Sequence, residues 1–501
     1  MNNKRPLEEH VRLFQRYGYG YTITIPGLGR IIDISRPDWI EHVQKTRFQD
    51  YVKGKRFRDK TFDMLGNGIF AADSHEWFIQ RKVSSRIFTA RTFDGMISRT
   101  VSEGCGHLQS LLSEHADKPG DSFGIHEIFE DLAMDTFFRV AFNEPVDSLR
   151  SSHRLGPSGS SQAEQYKDFS KAFGTAIKVL DMRFVNPCWR MGERFSKSGK
   201  EIKDALKVIH GFAGEIISRK AASFRQHSPD SKVFEGGDES TDLLSLFMKH
   251  SVATGKSIED KDLSCFVLNL LIAGRDTTAE ACTWMTWRLL ADQQDRRRRN
   301  EPPSSCLWER LRVELDGLDD YVRRGGNQVK ASFDQGRLMP LMYATFHETL
   351  RLHPSIPKNI RRATCKDILP NGGPLIEEGD FVLWSDWAMG RNPTLWGADA
   401  DLFRPERWID ESGSIRRESV YKAHFFSAGP RVCLGQKMAI FEGLQIMKAI
   451  IQNFDMELDM SKKYSSDDPA SPPPYVNALT LPMKGGLYVR CRKRGGPDRL
   501  D

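Results

Sequence analysis

The chain has 501 residues, enough for a large core, with 39% hydrophobic residues and Lys+Arg 73 against Asp+Glu 67, a net charge of +6. That excess is small and dispersed, which argues against a nucleic-acid protein. Eight cysteines without regular spacing or a CxxC pair rule out a disulfide framework and a zinc site, and point to a reduced, intracellular chain.

The start, "MNNKRPLEEHVRLFQRYGYG", is charged and polar and reads as neither a signal peptide nor a membrane anchor. The next stretch, "YGYTITIPGLGRIIDISRPDWIEHV", alternates apolar and polar residues around Gly turns and becomes helical after Pro37, predicting a hairpin followed by a helix. Its "GLGRII" lacks the third glycine of a dinucleotide fingerprint and opens no helix. In "HEWFIQRK", Trp77 and Arg81 stand one helical turn apart, which suits a stacked surface pair or an anion site. From there to about residue 360 the periodicity is helical. Polar loops interrupt it at residues 148 to 162 and 223 to 240, and the basic run "DRRRRN", residues 295 to 300, reads as a solvated loop.

Residues 262 to 292 form a single helical pattern, roughly 45 Å long at 1.5 Å per residue. Its most apolar run, "LSCFVLNLLIAG", is far short of the ~20 residues of a membrane helix and belongs to a core helix. In the middle stands "AGRDTT". Gly274 weakens the helix there, and Thr277 can bond back to the carbonyl of Ala273. Asp276 and Thr277 therefore sit beside an opened turn near the helix edge, either as a kink stabilised by polar residues or as a site that delivers protons from solvent.

The helix "PLMYATFHETLRLHP" begins at Pro340 and must stop before Pro354, with Glu348 and Arg351 three residues apart on one face. "NIRRAT" offers Arg361 and Arg362 in an extended segment. Short strands follow in "ATCKDILPNGGPLIEEGDFVLW" and "ALTLPMKGGLYVRC". Between them "FRPERW" supplies Arg407, where a guanidinium can lock onto a carboxylate with two parallel bonds. In "FFSAGPRVCLGQ", Gly429 and Pro430 make a tight loop that delivers Cys433 to the start of a helical pattern. By itself Cys433 suits either a buried structural cysteine or a thiolate stabilised by the helix N-terminus and Arg431. The fold class is mainly α with small β-sheets (α+β), with no internal repeat and no interdomain linker, so residues 1–501 are expected to form one domain.

Together, Phe426, Gly429, Arg431, Cys433 and Gly435, with Glu348 and Arg351 upstream, Arg407 between and "AGRDTT" before them, resemble the cytochrome P-450 superfamily of haem-thiolate mono-oxygenases. The resemblance implies that Cys433 is the axial ligand of haem b iron, with Phe426, Gly429 and Gly435 shaping the loop around the sulfur. It makes Trp77, Arg81, Arg361 and Arg431 candidates for holding the haem propionates. Glu348, Arg351 and Arg407 become a buried structural network, and Asp276 and Thr277 the residues that deliver protons to bound dioxygen. A haem-thiolate isomerase, a dehydratase or a haem sensor would share the cysteine loop without needing that pair.

Segments such as "TRFQDYVKGKRF", "LGNGIFAADSHEWFIQRK" and "AMGRNPTLWGADADLFRPERW" are similar to fungal alkane and fatty-acid hydroxylases and plant fatty-acid ω-hydroxylases. That similarity implies terminal or near-terminal hydroxylation of a fatty acid or alkane, with tailoring of a fungal secondary metabolite as the alternative. The apolar substrate would face Phe266, Leu270 and Ala273. No flavin or nicotinamide fingerprint is present, so a separate NADPH-cytochrome P-450 reductase is expected, with O2 as co-substrate and a monomeric chain. Relatives of this branch carry an N-terminal membrane helix. The expected location is the cytosolic face of the endoplasmic reticulum, with peripheral membrane contact, a cytoplasmic protein or a truncated sequence as the readings that fit a missing anchor.

Overall fold

A computed structural model describes residues 5–88, 92–118, 120–152, 161–226, 242–253, 255, 261–324, 338–462 and 473–495. Its architecture is mainly α with small sheets. Helix α1 (Pro6–Tyr17) has Pro at its first position, where no backbone donor is lost, and buries Leu7 and Phe14. The polar start thus hides an amphipathic helix that the sequence reading passed over. The expected hairpin is present as β1 (Gly20–Ile25) and β2 (Gly29–Ile34), antiparallel with Gly20 opposite Ile34. The helix after Pro37 is a single short turn, Pro37–Glu41, that loosens into a wider turn over His42–Thr46.

The chain then runs through β3 (Tyr51–Val52), α2 (Gly54–Leu65), α3 (Ser74–Ser84), α4 (Ser98–Ala116), β4 (Phe123–Gly124), α5 (Ile125–Phe142), α6 (Ser161–Val185), α7 (Lys197–Gln226) and α8 (Leu243–Ala253). Of the two loops expected here, the first contains a short helix, Ser148–Ser152, and its remainder before Ser161 lies outside the described residues. The second begins inside α7 and otherwise also lies outside them.

The long helical pattern divides at Arg275 into α9 (Lys261–Gly274) and α10 (Asp276–Arg298). α10 is apolar on nearly every side, burying Ala279, Cys282, Trp284, Met285, Leu289 and Leu290, so it runs through the core rather than along it. Its last turn carries Arg296, Arg297 and Arg298, which corrects the reading of "DRRRRN" as a loop. Cations at a helix C-terminus are favoured by the helix dipole, and Arg296 pairs with Asp292 one turn back.

After α11 (Leu307–Arg323) and α12 (Pro340–Leu352) come β5 (Lys358–Ala363), β6 (Asp367–Ile368), β7 (Leu375–Ile376) and β8 (Phe381–Ser385), and then α13 (Gln436–Asn453), β9 (Phe454–Leu458) and β10 (Tyr488–Lys493). Within the expected C-terminal strand stretch only β10 is a full strand; Tyr475 and Met483 pair ahead of it as an isolated bridge. The strands form sheets of order β1-β2-β8-β5-β3, β4-β10-β9 and β6-β7. The first sheet draws β5 and β8 from the late chain against the N-terminal hairpin, bringing Arg361 and Arg362 beside Tyr51 and Val52. Among the described residues no helix is long and apolar enough to cross a membrane.

Candidate active site

The cysteine loop is built by backbone strain and one close approach. Gly429 has φ +63°, and a Cβ there would collide with the carbonyl oxygen of Gln44. Only glycine satisfies both conditions. The Cys433 N–H donates to Phe426 O at 2.8 Å, closing the loop, and α13 begins three residues later. His424 anchors the approach, held between Asp386 at 2.7 Å and Gln44 at 2.8 Å. The Cys433 side chain is open to solvent but hemmed by surrounding protein. That partial burial pushes its thiol up, against the backbone N–H of Gly435, the charge of Arg81 and the N–H of Gln436. The nearby cation is therefore Arg81. Arg431, expected in that role, instead donates to Ala72 O at 2.7 Å and to Asp73 at 3.1 Å.

Trp77, Arg81, Arg361 and Arg431 do converge. The Arg431 guanidinium lies 4.8 Å from the centre of the Trp77 ring, and Arg361 lies 5.5 Å from that of Trp384. Burial pushes Arg361 down to about 9 and Arg431 to about 10, and repulsion from Arg431 adds to the shift of Arg361. Lys53, which the sequence reading did not single out, joins them: burial and then Arg361 and Arg431 hold its ammonium well below its ordinary value. Asp73 faces this cluster and also accepts the backbone N–H groups of Lys53 and Gly54, both at 2.8 Å. Lys53, Arg361 and Arg431 thus share one carboxylate, and the buried Nε of Arg431 has no hydrogen-bond partner among the described residues. A buried cation excess of this kind calls for further anionic groups. Arg362, by contrast, lays its stem beside Gly54 and its guanidinium beside Gly379.

The charge network behind the loop matches expectation in composition and differs in detail. Glu348 and Arg351 are 0% and 1% exposed. The two parallel bonds come from Arg351, Nε to Oε2 at 2.8 Å and Nη2 to Oε1 at 2.7 Å. Arg407, expected to make them, gives Glu348 a single bond at 2.9 Å and spends its other donors on the Trp396, Asp399 and Leu402 carbonyls. Trp408 Nε1 and the Arg404 N–H complete the Glu348 shell. With every lone pair used, its carboxyl stays below its ordinary value although burial alone would raise it.

At the helix break, Thr277 Oγ1 donates to Ala273 O at 2.8 Å, as its spacing predicts. Gly274 permits the break to pack tightly, since a Cβ there would enter the Phe137 ring. Asp276 is not at a helix edge. It is buried and paired with Arg275 at 2.5 Å, because Arg275 turns inward to reach Glu130 at 2.7 Å and Tyr166 at 3.2 Å. Burial raises the Asp276 carboxyl, and Glu130 adds to the rise while Arg275 opposes it. Behind it stand Glu280, whose carboxyl burial raises further, and His126, 3.4 Å from Glu130. The pairing of Arg275 with Glu130 and Tyr166 carried no local signal, since those partners are distant in sequence, whereas His126 and Glu130 stand one helical turn apart. Among the described residues no hydrogen bond joins Thr277 to the cysteine loop; the Ser355 hydroxyl, just ahead of β5, donates to Thr277 O at 2.8 Å.

Phe266 and Leu270 are buried within a core cluster on α9, Phe266 against Phe247, while Ala273 is half-buried at the opened turn.

The residues present fit a planar, dianionic macrocycle held through sulfur. Cys433 is open on its loop, a Cβ at Gly435 would point into free space, and the cation cluster awaits carboxylates. The comparisons with known proteins agree. The family described as Cytochrome P450 matches residues 1–481. The chain is similar to cytochrome P450 monooxygenase cyp1 of Mycosarcoma maydis, with 42% identity over 99% of this chain and 74% of that protein. It is also similar to cytochrome P450 CYP94D109 of Paris polyphylla, 31% identical over 93% and 86% of the two chains, and to cytochrome P450 94C1 of Arabidopsis thaliana, 30% identical over 94% and 86%. The fold, the cysteine loop and these matches together establish that the chain belongs to the cytochrome P450 family of haem b monooxygenases with an axial cysteine thiolate.

Proposed function

We propose that this protein, as one catalytic domain, hydroxylates a long apolar chain of the fatty-acid or alkane type near its end, with Cys433 as the haem ligand. The observation that carries the reading is the setting of Cys433, an accessible sulfur on a loop fixed by Gly429 and His424 at the start of α13. When bound, haem supplies the iron that reduces and cleaves dioxygen, and the electron donation of its thiolate ligand favours that cleavage. Trp77, Arg81, Arg361 and Arg431, joined by Lys53, would hold the haem propionates. Phe426 accepts the Cys433 N–H and Gly435 leaves room beside the sulfur. Glu348, Arg351 and Arg407 brace the segments behind the loop. The Thr277 hydroxyl holds a proton at the opened turn and the Asp276 carboxyl resupplies it.

Half-buried Phe57, Ile79, Phe88, Met96, Val179 and Leu479, packed on the core that contains Phe266 and Leu270, support an apolar chamber. The segments similar to alkane and fatty-acid hydroxylases support the substrate class. Electrons come from a separate NADPH-dependent reductase, and the site of action is the cytosolic face of the endoplasmic reticulum. The test is turnover with a reductase and NADPH on C10 to C18 acids and alkanes, with product analysis. Hydroxylation near the methyl end supports the reading; no binding of any of these compounds turns it toward tailoring of a secondary metabolite.

A further inference from the structure

We propose that Asp181, Lys358 and Asn477 form a polar clasp that receives the hydroxyl end of a long apolar substrate, an inference that rests on the apolar-chain reading above.

β5 connects two parts of the site. Just before it, Ser355 donates to the Thr277 carbonyl, and within it Arg361 stands in the cation cluster. Side chains alternate along a strand, so Asn359 and Arg361 share one face, with Asn359 bonded to Asp386 and Arg361 over Trp384. Lys358 takes the opposite face. There its Nζ lies 3.2 Å from Asp181 Oδ1, in the last turns of α6, and donates to Asn477 Oδ1 at 3.4 Å. Asn477 sits in a segment that folds back on itself, Val476 N–H to Pro482 O at 2.8 Å, and is anchored to α10 through Leu481 and Trp284. Three distant segments therefore place one polar trio between apolar residues, with Leu180 fully buried beside Asp181, and Val476 and Leu479 flanking Asn477.

The trio is incomplete. Asp181 is 1% exposed, yet neither carboxylate oxygen has a hydrogen-bond donor among the described residues; Lys358 is close but not aligned to bond. A buried carboxylate without a donor is costly. Lys358 is 25% exposed and has three protons to donate. The pair therefore presents an unfilled acceptor beside an available donor, with no net charge. A hydroxyl completes it by donating to Asp181 and accepting from Lys358. An ionised carboxylate would meet the like charge of Asp181, and an ester could only accept.

Calorimetric binding of 1-dodecanol, dodecanoate and methyl dodecanoate to the haem-loaded protein tests this. Wild type is expected to bind the alcohol about tenfold tighter than either of the others. Asp181→Asn keeps the shape, removes the like charge and leaves Lys358 without its counter-ion, so the preference should reverse toward dodecanoate by about tenfold. Should Asp181→Asn fail to fold, Lys358→Gln serves in its place and must lose the preference for alcohol. An alcohol-to-acid ratio unchanged by whichever variant folds, or equal binding of all three compounds by wild type, overturns the clasp while leaving the apolar-chain reading standing. If wild type binds none of them, the clasp is overturned, and if it binds no C10 to C18 acid or alkane either, the apolar-chain reading fails with it.

Discussion

Arg275 donates to the carboxylate of its own neighbour Asp276, Nη1 to Oδ1 at 2.5 Å, at the break between two helices. The same guanidinium holds Glu130 at 2.7 Å, and His126 lies 3.4 Å beyond. The Glu130 side chain is 19% exposed against 9% for Asp276. A proton bound for Asp276 is expected to enter past Glu130. Asp276→Asn is expected to slow turnover on the order of 10²-fold and to change the solvent isotope effect. Glu130→Gln should move both quantities in the same direction with a smaller amplitude. Wild-type isotope effects in Glu130→Gln would place the route elsewhere.

Thr277→Ala removes the hydroxyl at the opened turn without touching the apolar lining. Substrate binding should stay within about twofold, while NADPH consumption continues and product per NADPH falls severalfold, the difference appearing as hydrogen peroxide in the medium. Measuring all three together decides it: a fully coupled variant makes "AGRDTT" a kink and nothing more.

Cys433→Ser should abolish the thiolate-type absorption of the reduced carbon monoxide complex while the fold persists by circular dichroism. An unchanged spectrum would move the ligand to another cysteine, although the remaining seven are not on a glycine-rich loop before a helix.

Glu348→Ala leaves Arg351 and Arg407 without their shared carboxylate inside the protein. Removing one member of a buried charge network costs roughly 3 to 5 kcal/mol, a large part of net stability. The variant should yield little soluble, haem-loaded protein; a haem-replete variant with an ordinary melting temperature would contradict a bracing role.

Glu442 and His126 each contribute to the pH dependence of stability. Glu442 on α13 is buried, and burial pushes its carboxyl up to about 8, with a hydrogen bond from Thr136 opposing. Its folded value lies above its unfolded one, so its favourable contribution is fully present below the unfolded range near 4.5 and is lost as pH rises toward 8. His126 behaves likewise higher up. Burial alone would lower it, but the Glu130 charge and hydrogen bond outweigh this and raise it to about 9, so its contribution is fully present below 6.5 and is lost as pH rises toward 9. Melting temperature should therefore fall between pH 5 and pH 9. Glu442→Gln should flatten the lower part of that fall, and His126→Gln the upper part; parallel curves for all three proteins would refute both assignments.

The parts of the site that were legible in the sequence are those governed by spacing within one element. The bond from Thr277 to Ala273, the face shared by Glu348 and Arg351, and a cysteine delivered by a Gly-Pro loop to a helix start all follow from helix geometry and glycine stereochemistry. The sequence alone therefore determined the helix-rich class, the cysteine loop and the family resemblance. Tertiary structure decided which charges are buried and with whom. Asp73 and Arg431 are 358 positions apart, Arg30 and Asp380 are 350 apart, and nothing near either residue of a pair encodes the partner. It was the sheet carrying β5 and β8 onto the N-terminal hairpin that assembled the cation cluster with Lys53, and the inward turn of Arg275 that withdrew Asp276 from solvent. The physical reason is that a hydrogen bond within a helix is fixed by backbone repeat, whereas an ion pair across a core depends on which surfaces the packing excludes from water.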